Sequence, residues 1–397
     1  MILTKKQEEG LKIAVERFRN HEPYTCIAGY AGSGKSTLIK FIISALGVDQ
    51  EKEVAYVAYT GKAANVLQAK GCPNATTAHK LLYKAKPLPN GKFIFEEKDL
   101  RDSNLRVIVV DEVSMLPREM WELLISHRIY VIAAGDPGQL PPVDKDADNH
   151  VLDTPHIFLD EIMRQAQDSE IIRFSMWIRD GKPIKDFPCS NQQVMIIKPQ
   201  DIVTGMYTWA DQVICSTNAK RVEINNLMRQ LMGFSTLPQI GDKVISLRNH
   251  WDYLSQTGNW ALTNGSIGTI ESFGLNEIWV PRYIKSGGPI TYMATDIRLE
   301  DGDMFKDTPI DYNGLVTGTP TLDARQVYQL NKNKMTPDAP FDFTYAYAIT
   351  GHKSQGSEWG KVLMIEEGFP YSKEEHIKAM YTEATRAQEK LAVVIKE

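Results

Sequence analysis

The segment GYAGSGKST, residues 29–37, constrains this chain more than any other. It fits G-x-x-x-x-G-K-[ST] and stands between an apolar run, YTCIAGY, and a helical pattern, STLIKFIISALG. A strand before and a helix after are the context that the motif requires. Gly29, Gly32 and Gly34 let the backbone curl so that its N–H groups face phosphate oxygens, with Ser33 and Thr37 in the same cradle. The helix N-terminus adds its partial positive charge. Lys35 is expected to reach the β- and γ-phosphates of ATP, and the Ser36 hydroxyl to ligate Mg²⁺.

The surrounding pattern sets the fold class. YTCIAGY, EVAYVAYT, LRVIVVDE and IYVIAAGD read as strands buried on both faces, with helical stretches between them. That alternation predicts a parallel sheet covered by helices, an α/β fold. Residues 84–104 interrupt it. There KPLPNGKFIFEEK places an Asn90-Gly91 turn before alternating Phe93 and Phe95, a hairpin signal. A second α/β region is expected from residue 156, broken off near 240 and resumed near 339. The interval 241–338, with short strands between Gly and Asn turns, predicts a small β-barrel inserted in that second domain. Its aromatic residues Trp251, Tyr253 and Trp260 have two readings, barrel core or contact with the hairpin or a bound strand.

Bulk properties exclude some classes. The chain has 397 residues, which implies about two to four domains. Hydrophobic residues make up 43% and charged residues 24%, ordinary for a soluble globular protein. No apolar run approaches a membrane span. The N-terminal MILTKKQEEGLKIAVERF reads as an amphipathic helix rather than a targeting peptide, so a cytoplasmic location is expected. Cys26, Cys72, Cys189 and Cys215 form no CxxC pair, which argues against a zinc site or a disulfide framework. A net charge of −5 argues against a uniformly basic face for duplex DNA. It leaves room for a narrow groove that holds one strand by stacking and a few cations.

Further segments carry chemistry. Asp111 and Glu112 end the strand VIVVDE, where one carboxylate can hold Mg²⁺ through water and its neighbour can polarise the attacking water. GDPGQLPPV, residues 135–143, puts Asp136 and Gln139 at the same sheet edge, where Gln139 can sense the γ-phosphate or hold the catalytic water. Arg164 in EIMRQ and Arg386 in YTEATRA are candidates to stabilise charge on the transferring phosphoryl group.

The ordered set of segments resembles the superfamily 1 helicases, and within them the RecD-like and Dda-type branch that moves 5′ to 3′ on DNA. LTKKQEEG resembles the Q motif, with Gln7 as the adenine reader. GYAGSGKST resembles motif I; AYTGKAA, with Thr60 and Lys62, motif Ia; TTAHKLL, with Thr77 and His79, motif Ib. VDEVSM, GDPGQLPPV and EIMRQ resemble motifs II, III and IV. AITGHKSQGSEW resembles motif V, and YTEATRA motif VI, with Glu383 where the family has a small or apolar residue.

The resemblance implies two RecA-like P-loop NTPase domains, at 1–155 and at 156–240 with 339–397. It also implies a β-hairpin pin at 84–104 and an SH3-like barrel at 241–338. It implies a minimal monomeric motor of the phage type, acting on single-stranded DNA and a duplex fork in replication, recombination or repair. Replication or single-strand-binding proteins are possible partners of such a motor. Glu358 would lie near the ribose. Thr60, Lys62, Thr77, His79, His352 and Ser354 would grip the strand. Phe93 or Phe95 would wedge the fork, or else both would pack on the first domain. A nucleotide kinase, an ATPase that remodels protein–DNA complexes without unwinding, and a recruitment module remain the alternatives.

Overall fold

The computed structural model describes residues 3–87, 93–141, 148–163, 168–258, 260–280, 288–332, 339–368 and 372–396. Two units are distinguished. The first comprises Met1–Lys84, Phe95–Val203 and Gly351–Glu397, and the second Ala85–Ile94 and Thr204–Thr350.

The first unit is built on a six-stranded sheet. Its strands are β1 (Tyr24–Gly29), β2 (Val54–Ala58), β3 (Thr76–Thr77), β6 (Val107–Val110), β7 (Tyr130–Gly135) and β8 (Ile157–Leu159), in the order β3-β2-β6-β7-β1-β8. Every neighbouring pair is parallel. β2, β6 and β7 are buried along their whole length, which is why they read as unbroken apolar runs. Leu82 and Leu124 pack on Ile108 of β6 and Val131 of β7 in one cluster; all four are wholly buried, with Trp121 beside them. Each such aliphatic side chain contributes roughly 1.5–3 kcal/mol.

Parallel strands end on one side, so the loops after β1, β6 and β7 converge there. These loops hold Lys35, Asp111 and Asp136, the residues that the sequence marks. β4 (Tyr83–Pro87) and β5 (Phe93–Glu97) form a separate two-stranded sheet at the place expected for the hairpin. Its Asn90-Gly91 turn lies outside the described residues.

Residues 157–159 were expected to open the second α/β region. They instead form the edge of the first sheet, with Ile27 opposite Ile157 and Gly29 opposite Leu159. A three-residue strand has too little periodicity to reveal its partner. The first unit also contains a parallel run of Trp359–Ile365, Ala387–Val394 and Val194–Ile197. Helices Glu170–Arg179 and Lys373–Ala384 pack on one another. Ser372 and Glu375 cap the second of these helices reciprocally.

In the second unit, Gln212–Cys215 pairs in parallel with Ala348–Thr350. A five-stranded antiparallel sheet takes the strands Lys243–Ser246, Ile267–Val280, Gly288–Leu299, Met304–Asp311 and Phe343–Tyr345. The run FTYAYAIT therefore splits. Phe343–Tyr345 joins the antiparallel sheet, beyond the expected limit at residue 338, and only Ala348–Thr350 continues the parallel pair. Tyr253 is half-buried and packs edge-on to Phe341 at 5.1 Å. Trp260 donates from Nε1 to Asp301 at 2.7 Å. The Trp251 side chain lies outside the described residues. Among the described residues no helix is long and apolar enough to cross a membrane.

Candidate nucleotide site

The loop after β1 has the shape that its glycines allow. Gly32 and Gly34 adopt φ of 74° and 83°. The positive φ at Gly34 favours glycine, and a Cβ there would also press on the Gln7 amide 2.5 Å away. Lys35 opens helix Lys35–Leu46 and donates from Nζ to the carbonyl oxygens of Gly29 at 2.6 Å and Tyr30 at 3.2 Å. The ammonium is thereby held over the loop. Ser36 is exposed, while the Ser33 hydroxyl is buried with no hydrogen-bond partner among the described residues.

Gln7 does two jobs. It closes a capping box with Thr4 at the start of helix Lys5–Arg19. Its Nε2 also faces the backbone oxygens of Ser33 and Gly34 at 3.5 and 3.4 Å. The side chain is buried against the loop.

Asp111 and Glu112 follow β6. Burial, with the neighbouring Glu112 charge, raises the Asp111 carboxyl above the ordinary carboxylate range, and Lys35 opposes that shift. A bound cation would reverse it. Glu112 has φ of 51°, a left-handed conformation for a non-glycine residue, as strained functional positions often have. Gln139 Nε2 lies 3.5 Å from a Glu112 oxygen, so the two candidate water-positioning groups are together. Among the described residues no cluster of three or more His, Cys, Asp or Glu side chains could cage a metal. One carboxylate, one exposed hydroxyl and phosphate oxygens suit Mg²⁺ carried in with a nucleotide.

The segment 351–394 meets this site within the same unit. Gln355 Nε2 donates to the Leu140 oxygen at 2.7 Å, and the Leu140 N–H donates to Thr382 Oγ1 at 2.8 Å. Tyr381 donates to Asp136 Oδ2 at 2.7 Å and accepts from the Ala31 N–H at 2.8 Å. Arg386 is buried and donates to the Thr382 and Ser357 oxygens and to Thr385 Oγ1. Glu358 pairs with Lys70 at 3.1 Å and accepts from Gln388 at 2.7 Å. Arg164 lies outside the described residues. Glu383 packs against Gly351, where a Cβ would stand 2.6 Å from its Oε1. Sequence reasoning missed Tyr381; its place in YTEATRA was the only signal.

The expected strand contacts divide. Thr60 is half-buried and caps helix Gly61–Ala69 by accepting from the Ala63 N–H. Thr77 caps helix Ala78–Leu82 and is buried, as is Ser354, whose hydroxyl donates to the Gly351 oxygen. His79 is only 8% exposed and packs against Tyr83 at 4.8 Å and edge-on to Phe95 at 4.5 Å. Thr77, His79 and Ser354 are thus structural props here rather than displayed contacts. The sequence cannot reveal this, because residue type does not state which way a side chain faces. His352 is half-buried. The Lys62 and Phe93 side chains lie outside the described residues.

The family model for an AAA domain matches residues 3–200, and that for a UvrD-like helicase C-terminal domain matches residues 345–394. Among the proteins it is similar to, the ATP-dependent DNA helicase Dda of Enterobacteria phage T4 is 33% identical over 147 residues, 36% of this chain and 33% of that protein. The ATP-dependent RecD2 DNA helicase of Deinococcus radiodurans is 26% identical over 385 residues, 92% of this chain and 46% of that protein. The chain therefore spans from a third to nearly half the length of these curated relatives. The fold is that of the Bacteroides Pif1 helicase, solved with ADP-AlF3 and ssDNA, at a TM-score of 0.52 and 18% identity over 100% of this chain and 95% of that one. A mixed α/β architecture with parallel sheets is common to both.

Proposed function

We propose that this protein is an ATP-dependent DNA helicase that moves 5′ to 3′ on single-stranded DNA and unwinds duplex at a fork. The observation that carries the reading is the convergence of two segments on one loop. Lys35 and Asp136 follow strands of the first sheet, and Gln355 and Tyr381, from the segment after residue 350, bond to Leu140, Asp136 and Ala31 beside them. ATP bound by the first set is positioned to bias the second, and a ligand shifts an equilibrium only by such differential contact.

In this reading, Gly29, Gly32, Ser33, Gly34 and Thr37 cradle the phosphates, Gln7 reads the base and Glu358 approaches the ribose. Lys35 takes the β- and γ-phosphates. Ser36 and Asp111 would hold Mg²⁺, which would neutralise developing charge on the transferred phosphoryl group. Glu112 accepts the proton of the attacking water, and Gln139 orients it. Arg386 leaves its backbone acceptors to stabilise the charge, with Arg164 beside it. Loss of the γ-phosphate then removes what both segments share, and the grip on the strand alternates. Residues 1–159, residues 160–240 with 346–397, and residues 241–345 serve as two RecA-like domains and an SH3-like insert. Thr60, Lys62 and His352 line the strand path, and the hairpin at 84–104 acts as the pin. A monomer acting with replication or single-strand-binding proteins is the expected form.

The test is the rate of ATP hydrolysis with and without single-stranded DNA. Strong stimulation is expected; a rate indifferent to DNA would refute the motor reading and leave a metabolic ATPase.

A further inference from the structure

Two helices each place a side chain on the same pair of loop residues. Arg179, at the end of helix Glu170–Arg179, lays its guanidinium over the Tyr30 ring at 4.0 Å, while Phe158 meets that ring edge-on at 5.5 Å. Tyr381, from helix Lys373–Ala384, accepts the Ala31 N–H at 2.8 Å. The peptide joining Tyr30 to Ala31 is a rigid plane, so whatever fixes its N–H also fixes its C=O. That C=O, the Tyr30 oxygen, accepts from Lys35 Nζ at 3.2 Å and from the Ser33 N–H at 3.2 Å. The Tyr381 hydroxyl in turn donates to Asp136 Oδ2 at 2.7 Å, and the Gly138 N–H holds the other Asp136 oxygen at 2.9 Å.

We propose that Tyr381 is a positioning residue that sets the Lys35 ammonium through the Tyr30–Ala31 peptide, with Asp136 holding the phenol in register. The proposal rests on reading the loop as the ATP site. Tyr381 is 1% exposed, and burial together with the Asp136 charge keeps its hydroxyl protonated as a donor. Three residues beyond Ala384's neighbour Glu383 the chain reaches Arg386, so the helix that orients the lysine also leads to the arginine. Docking of this helix therefore completes the loop and presents the arginine in one event. Undocking releases the peptide and lets the ammonium drift.

The test uses Tyr381→Phe, which keeps the ring and removes the hydroxyl, beside Asp136→Asn and the double variant. Steady-state ATP hydrolysis with single-stranded DNA is measured with equilibrium binding of a fluorescent ADP. Tyr381→Phe is expected to lower kcat about ten- to hundredfold while ADP affinity changes by no more than about threefold. Asp136→Asn is expected to lower kcat alike, and the double variant to be no worse than the poorer single one. A kcat for Tyr381→Phe within about twofold of the parent, or losses that multiply in the double variant, would overturn the relay. If Tyr381→Phe fails to fold, the kcat of Asp136→Asn decides on the same criterion. A parent protein that neither hydrolyses ATP nor binds ADP overturns the ATP-site reading instead.

Discussion

Gln355 donates a hydrogen bond to the backbone oxygen of Leu140 at 2.7 Å, with both residues buried. The Leu140 N–H is taken by Thr382 Oγ1 at 2.8 Å, so the residue after Gln139 is held through both its N–H and its C=O. Gln139 is therefore tied to the segment that follows residue 350. Gln355→Ala leaves a buried carbonyl unpaired, a loss worth roughly 1–3 kcal/mol. It should cut DNA-stimulated hydrolysis about tenfold or more while ADP affinity stays near the parental value. Full stimulation in this variant would show that the link transmits nothing.

Lys35 is the residue whose loss should separate chemistry from strand binding. Lys35→Ala is expected to lower kcat by at least about a hundredfold, since a positioned cation on the transferring phosphoryl group is lost. Fluorescence anisotropy with labelled single-stranded DNA should give a Kd within about threefold of the parent, because the strand is held elsewhere.

The hairpin ladder puts Phe95 edge-on to His79 at 4.5 Å. Replacing Phe93 and Phe95 together by Ala should abolish unwinding and leave DNA-stimulated hydrolysis in place. Unwinding at the parental rate would remove the wedge role and leave Phe95 as packing on the first domain.

Two histidines make stability depend on pH. Burial, with nearby Lys98, pushes His79 down to about 4; burial, with Arg248, pushes His250 down to about 4. Below pH ~6.5 the unfolded chain takes up protons that the folded chain refuses, so stability falls as pH drops from about 6.5 toward 4. Each contributes up to about 2–3 kcal/mol to that fall. Chemical denaturation midpoints at pH 7 and pH 5 should differ in this direction, and His79→Asn should flatten the slope. An unchanged slope in that variant would place the sensitivity elsewhere.

What the sequence made legible was the first sheet and its loop. β2, β6 and β7 are continuous apolar runs, and Gly34 has a φ of 83° that only its residue type foretold. What it hid were pairings and directions. Phe343–Tyr345 and Ala348–Thr350 look like one strand but serve two sheets. Thr77, His79 and Ser354 look like contacts but are buried caps and packing. Tyr381 carries no signal by itself, because its partners Ala31 and Asp136 lie more than two hundred residues away in the chain.

The most direct test of the central claim is unwinding of duplexes with a 5′ or a 3′ single-stranded tail, in the presence of ATP and Mg²⁺. The account predicts that only the 5′-tailed duplex is opened and that Lys35→Ala opens neither. Unwinding from the 3′ tail alone would contradict the direction of travel, and opening of neither duplex by the parent protein would contradict the helicase itself.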